Sequence, residues 1–243
     1  MKKFLLFLFL YSAHSTAFAQ LKLTFPSKDG LTITADWYPV STNLPIILLC
    51  HQNRFSRGEY AETALRLNKL GFNCMAIDQR VGDESNGVVN ETAALAKQRK
   101  LKPTYMDAEQ DIVAAIDYLY EKYKRNVIVI GSSYSASLAL TIAAENNKVA
   151  ALAVFSPGEY FEDKTYVRSN ISKLQKPLFI TSSKKEANEV TELLKDVNSR
   201  IKVQYIPQSE GDHGSKVLWG SAPYNQEYWI ALISFLNKVK NLD

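Results

Sequence analysis

Five short, strongly apolar runs constrain this chain more than any other feature. Ile46-Ile47-Leu48-Leu49-Cys50 follows Pro45, and comparable runs occupy Phe72–Ile77, Val127–Ile130, Ala150–Phe155 and Leu178–Thr181. A strand with one wet face alternates apolar and polar residues. A strand with no alternation is buried on both faces, as in a parallel sheet covered by helices. Segments of helical spacing separate the runs. Ala61, Ala64, Leu65 and Leu67 mark Ser56–Leu70, closed by Gly71, while Ile112, Ile116, Leu119 and Tyr123 mark Asp107–Tyr123. Ser135–Glu145, Glu186–Val197 and Gln226–Lys240 are predicted helices, and Ile201–Ile206 a last strand. Residues 21–38 behave differently, alternating on either side of Ser27-Lys28-Asp29-Gly30 in the manner of an antiparallel hairpin. Residues 79–103 are polar and rich in turn formers, with a short helix near Thr92–Gln98. The pattern implies an α/β fold, with a mainly parallel sheet, an antiparallel N-terminal hairpin and helices on both faces.

The first nineteen residues read as a signal peptide. Lys2-Lys3 is its basic start, Phe4–Tyr11 its apolar stretch and Ala17-Phe18-Ala19 its cleavage signal. Cleavage before Gln20 leaves 20–243 as a single domain, secreted or periplasmic. The apolar stretch is too short to span a bilayer, and no later segment is long enough, so no stable membrane insertion is expected. The formal charge is +4, about +2 without Lys2 and Lys3. An excess this small and dispersed gives no reason to expect a nucleic-acid partner. Cys50 and Cys74 both lie in apolar strand patterns and are expected as free, buried thiols. Asn90-Glu91-Thr92 and Asn170-Ile171-Ser172 match short glycosylation acceptors, a pattern that also arises by chance.

The segment Val127-Ile128-Val129-Ile130-Gly131-Ser132-Ser133-Tyr134-Ser135-Ala136 carries the chemistry. A β-branched strand runs through a G-x-S-x-S turn straight into a helix of small residues, the setting of a nucleophile elbow. Strand and helix approach closely there, so the positions two residues either side of the central serine must be small. The frame centred on Ser133 meets this with Gly131 and Ser135 at its flanks; centring on Ser135 loses the glycine at the strand end, and centring on Ser132 leaves bulky Ile130 and Tyr134 at the flanks. The bland reading is a strand–turn–helix whose serine is merely an N-cap.

A serine hydroxyl needs a base. After removal of the leader two histidines remain, His51 at the end of the first apolar run and His213 in Ser209-Glu210-Gly211-Asp212-His213-Gly214. His213 follows the last strand, on the sheet edge where loops after parallel strands converge, and it comes after the serine in chain order. It is the expected base. The acid that orients the imidazole is Glu186, just beyond the Leu178–Thr181 strand, or Asp163, after the preceding strand; Asp212 is too near His213 in sequence to reach around it.

Leu48-Leu49-Cys50-His51-Gln52-Asn53, Asp78–Ser85, the elbow and Asp212-His213-Gly214 together resemble the dienelactone-hydrolase-like group of α/β hydrolases, over essentially the whole mature length. The resemblance implies an α/β-hydrolase fold without a large lid and a serine esterase mechanism with no cofactor and no metal. It also implies an oxyanion hole built from the backbone N–H groups of Tyr134 and of a residue near Gln52, and a structural rather than catalytic His51. Asp78 and Arg80 are expected to pair near the site. The chain departs from the group where Gln52 replaces a common glycine, where Ser133 stands for the cysteine of dienelactone hydrolases proper, and where Glu186 stands for the commoner aspartate.

Arg54, Arg57 and Arg80 lie in loops on the expected active-site edge, where they either bind a substrate carboxylate or form salt bridges. Tyr134, Tyr160 and Trp219 are expected to wall an open site. Arg80, Tyr160 and Trp219 are thus the substrate-binding candidates, and the expected partner is a small or accessible acyl ester. A peptidase or amidase on the same machinery and a non-catalytic binding module are the alternatives. There is no phosphate-binding glycine loop and no H-E-x-x-H metal helix. Oligomeric state is not legible.

Overall fold

The computed structural model describes residues 20–242; the expected leader lies outside the described residues. Strands β1 (Leu21–Pro26) and β2 (Thr32–Tyr38) form the antiparallel hairpin, paired Leu21 to Trp37 and Pro26 to Thr32. The five apolar runs become β3 (Ile46–Cys50), β4 (Asn73–Ile77), β7 (Val127–Ser132), β8 (Val149–Phe155) and β9 (Leu178–Thr181), with a two-residue hairpin, β5 (Glu84–Ser85) and β6 (Val88–Val89), between β4 and β7. β10 (Lys202–Tyr205) completes one eight-stranded sheet in the order β1-β2-β4-β3-β7-β8-β9-β10. β2 meets β4 antiparallel, and every pairing from β4 to β10 is parallel.

Among the described residues seven α-helices surround the sheet: α1 (Ala61–Lys69), α2 (Glu91–Gln98), α3 (Glu109–Tyr123), α4 (Tyr134–Glu145), α5 (Tyr166–Asn170), α6 (Ala187–Leu193) and α7 (Asn225–Val239). β3 shows why its run had to be continuous. Ile46, Leu48 and Cys50 pack on one face with α3 and α4, while Ile47 and Leu49 pack on the other with α1 and α7. Cys50 and Cys74 are free and buried, and fall in the two opposite cores. Between Phe155 and Leu178 the only helix is the five-residue α5, so no large lid covers the C-terminal strand ends. Among the described residues no helix is long and apolar enough to cross a membrane.

The expected Asp78–Arg80 pair does not form, because each group has a partner from another element. Asp78 accepts from Arg57 Nη1 at 2.6 Å, and Arg57 also faces Asp36 and Glu91. Arg80 is buried between Asp111 of α3, at 2.6 Å, and Asp29 of the β1–β2 turn, at 2.7 Å. Ser27 donates to Asp111 Oδ1 at 2.7 Å and accepts from Arg80 Nη2, so hairpin, β4 loop and α3 are locked together. Asn90 is also buried, accepting from Ala93 N–H as the N-cap of α2, which leaves that acceptor motif no exposed asparagine.

Removing one member of a buried pair strands the other charge, typically at a cost of about 3–5 kcal/mol. Asp111→Ala is therefore expected to destabilise the protein by about 3 kcal/mol in urea unfolding, with an unchanged m-value. A loss within the scatter of ordinary surface substitutions would show that Arg80 is not held by this carboxylate.

Candidate active site

The turn from β7 to α4 leaves no spare room. A Cβ at Gly131 would lie 2.8 Å from Ala136 Cα and 2.8 Å from the Ser135 carbonyl oxygen, so only glycine fits. The chain turns at Ser133, whose φ of 58° and ψ of −124° are strained for a side-chain-bearing residue. The conformation is held by its surroundings. Ser133 N–H donates to Phe155 O at 2.8 Å, and Ser133 O accepts from Ala136 N–H at 2.9 Å as the first turn of α4. Ser135 is buried, and its hydroxyl donates to His51 O at 2.6 Å, anchoring the elbow to the loop after β3.

His213 reaches the serine from the loop after β10. Its Nε2 lies 2.8 Å from Ser133 Oγ, and its Nδ1 lies 2.5 Å from Glu186 Oε1. A carboxylate can only accept, so Nδ1 carries the ring proton and Nε2 accepts from the serine hydroxyl. Gly214 sits at φ 77°, and a Cβ there would come within 2.6 Å of both Gln52 Oε1 and Ser132 Oγ. The loop is sewn to its neighbours by two hydroxyls. Ser132 Oγ accepts from Ser215 N–H at 2.8 Å, and Ser156 Oγ accepts from Gly214 N–H at 3.0 Å.

Glu186 closes the 3-10 turn Lys184–Glu186 after β9, where Ser183 forms a capping box with it. Its Oε2 accepts from Ser183 N–H at 3.1 Å, Ser183 Oγ at 2.8 Å and Ser156 Oγ at 2.8 Å, leaving Oε1 for His213. Burial pushes this carboxyl upward, but the hydrogen bonds from His213, Ser156 and Ser183 outweigh it and hold the pKa at about 2. Asp163 does not reach the site; its carboxylate accepts from Thr165 N–H and Oγ in its own exposed turn. Asp212 accepts from His213 N–H and pairs with Lys216, away from the ring.

In the loop after β3 the two adjacent N–H groups differ. Gln52 N–H is not free: it donates to the buried carboxylate of Glu59 at 2.8 Å. The next N–H, of Asn53, has no acceptor among the described residues, nor has that of Tyr134 at the start of α4. His51 is buried and hydrogen-bonded to Gln52 O and Gln79 N, and burial holds its pKa down at about 4. It is a neutral structural ring.

The substrate-binding candidates divide. Tyr160 stands edge-on to His213, ring centroids 6.3 Å apart, with its hydroxyl donating to Ser156 O. Trp219 stacks on Phe55, donates Nε1–H to Glu59 O at 2.7 Å and lines a cavity of about 980 Å³. That cavity includes Gly211, Asp212, Val217, Pro223 and Tyr224, and so begins beside His213 without containing Ser133. Arg80 is locked in its ion pairs and offers no free fork to a substrate. Arg57 is likewise committed, and only Arg54 is exposed. Tyr134 walls nothing: its ring is buried against Tyr105. Among the described residues no cluster of His, Cys, Asp or Glu is arranged to hold a metal ion.

A mainly parallel eight-stranded sheet with an elbow at the end of β7 and a histidine loop after β10 defines an α/β hydrolase. The chain belongs to the family of these hydrolases described as serine aminopeptidase, S33, which matches residues 42–206 and so takes in Ser133 and Glu186. No curated protein matches the sequence. Solved structures resemble it at low identity, which speaks for the fold. An esterase of Pyrococcus furiosus superposes with a TM-score of 0.69 at 17% identity, covering 92% of each chain. A dienelactone hydrolase of Anabaena variabilis gives 0.70 at 15% identity, over 92% of this chain and 99% of that one. A cold-adapted esterase from an Arctic intertidal metagenomic library gives 0.70 at 16% identity, over 94% and 97%.

Glu186 has a folded-state pKa below its ordinary value of 4.5, so its contribution to stability is complete above that value and is lost as pH falls through about 2. The Glu186→Gln variant is expected to show a flatter pH dependence of unfolding between those limits than the wild type. Parallel curves for the two proteins would mean that the carboxylate is not held in this network.

Proposed function

We propose that this chain is an exported serine hydrolase that cleaves small or solvent-accessible acyl esters, with Ser133 as nucleophile, His213 as base and Glu186 as the orienting acid. One observation carries the reading: the continuous hydrogen-bonded chain from Ser133 Oγ through His213 to Glu186, at 2.8 and 2.5 Å, mounted on a strained elbow. Ser133 Oγ attacks the ester carbonyl while its proton passes to His213 Nε2, and the ionised Glu186 stabilises the imidazolium. The imidazolium returns the proton to the departing alcohol. Water, deprotonated by the same nitrogen, then releases the acid from the acyl-enzyme.

The tetrahedral oxyanion is received by the N–H of Tyr134 and, in place of Gln52, that of Asn53. Each such donor typically contributes about 3 kcal/mol to the transition state. The short Phe155–Leu178 connection and the cavity beside His213 favour accessible esters over long lipids. Export rests on the first nineteen residues, and predicts a mature N-terminus at Gln20. N-terminal sequencing of protein recovered outside the cytoplasm tests this, and an intact Met1 there would refute cleavage.

The family's description as serine aminopeptidase favours one second reading, in which the same residues cleave amides. Turnover of p-nitrophenyl esters against aminoacyl p-nitroanilides decides between them, and faster anilide turnover would reverse the assignment. A fluorophosphonate probe is expected to label the wild type and not Ser133→Ala; a folded protein that fails to label is a binding module. Glu186→Gln should lower kcat by roughly 10²–10⁴, the scale of losing the orienting acid, while Asp163→Asn leaves it unchanged.

A further inference from the structure

Glu59 is a fully buried carboxylate near the site that the proposed chemistry leaves without a task. It lies in the 3-10 turn Arg57–Tyr60, between β3 and α1, with no exposed surface. Among the described residues no lysine or arginine pairs with it, unlike Asp78 and Asp111, which have Arg57 and Arg80. A buried carboxylate without a countercharge costs several kcal/mol that an apolar side chain of similar volume would not.

What it gains is a span. Oε2 accepts from Gln52 N–H at 2.8 Å, in the loop after β3. Oε1 accepts from Ser215 Oγ at 2.5 Å, two residues past His213. Its carbonyl accepts from Trp219 Nε1–H at 2.7 Å, further along the same loop. One residue thus ties the loop carrying Asn53 N–H to the loop carrying the histidine, across 156 residues of sequence. By consuming the N–H of Gln52 it leaves Asn53 the first free donor there. The groups facing it are Gln52 after β3, Ser132 at the end of β7, Ser215, Trp219 and His213 of the histidine loop, Tyr60 beside it and Cys50 at the end of β3. Burial pushes its pKa up to about 7, against the pull of Ser215, Gln52, Ser132 and His213.

We propose that Glu59 is a positioning residue, whose forked carboxylate sets the distance between the oxyanion-binding loop and the His213 loop. It touches no reacting atom. The inference rests on the serine-hydrolase reading, and deepens it by naming what aligns two of its parts.

The test compares Glu59→Gln, Ser215→Ala and the double variant in the full chain, measuring kcat and KM on a small p-nitrophenyl ester, the rate of fluorophosphonate labelling, and Tm. Glutamine keeps the shape but offers one acceptor, so it can hold Ser215 only by donating Nε2–H to a hydroxyl that must turn round, and kcat is expected to fall by about tenfold to a hundredfold, the range for a misplacement near 1 Å. KM should stay within about twofold, and Ser215→Ala should cost less because one tie survives. Because both substitutions break the same span, the double variant should match Glu59→Gln rather than multiply the two losses. If Glu59→Gln does not fold, Ser215→Ala carries the test by a kcat loss at unchanged KM, measured well below its own Tm. Wild-type kcat and labelling in Glu59→Gln, a kcat loss that only tracks the folded fraction, or multiplicative effects would each overturn the proposal. Failure of the wild type itself to label would instead overturn the reading beneath it.

Discussion

The contact between Gly131 and Ala136, where β7 runs directly into α4, is the constraint from which the rest of the site follows. With no room for a Cβ at Gly131, the chain can make the turn only by forcing Ser133 to positive φ. That conformation cannot support itself, because a serine there costs of order 1–3 kcal/mol. It is over-determined by Phe155 O, by the first turn of α4 and by Ser135 clamped onto His51 O. The strain is thus distributed over β8, α4 and the loop after β3, the elements whose ends form the rest of the site. The eight-stranded sheet is the rigid body that makes the arrangement affordable.

Two hydroxyls that flank the proposed nucleophile extend its influence outward. Ser132, one residue before it, accepts from Ser215 N–H; Ser156, one residue past β8, accepts from Gly214 N–H and donates to Glu186. The histidine loop has no regular structure over residues 206–214, so its geometry depends on such side-chain ties rather than on a backbone ladder. Neutral hydroxyls suit this role, since they accept and donate at once without the desolvation cost of a charge.

The central architecture was legible because the apolar runs leave few alternatives: β3, β4 and β9 lie within them, β7 and β8 overrun them by one or two residues, and the order serine, acid, histidine was read from the loops at their ends with Glu186 and Asp163 both open as the acid. What escaped were features with no periodic signal. The β5–β6 hairpin has two residues a strand, α5 has five residues, and α6 ends at Leu193 where the spacing predicts Val197, because Leu194 caps the helix and the chain turns. Arg80 was left between two roles for a different reason. Its partner Asp111 is 31 residues away, and nothing local distinguishes an arginine that will be buried in an ion pair from one free to bind a ligand.

Which N–H of the loop after β3 stays free was not legible for the same reason. Gln52 and Asn53 are adjacent, and a strand-end position alone does not say which N–H faces a ligand. Glu59, a carboxylate seven residues on, accepts from Gln52 N–H and leaves the N–H of Asn53 free. Three carboxyls near this edge therefore differ in role through their surroundings alone. Burial raises all of them, but Asp78 is answered by a guanidinium and rises to about 6, while Glu186 is answered by a histidine and two serines and falls to about 2. Glu59, answered only by neutral donors and a distant ring, rises to about 7. Of the three only Glu186 is held below its ordinary range, and Glu59 joins the loop after β3 to the loop after β10 through neutral donors alone. Composition and spacing record that three acids are present; the acceptors and donors brought to each by the fold decide what each of them does.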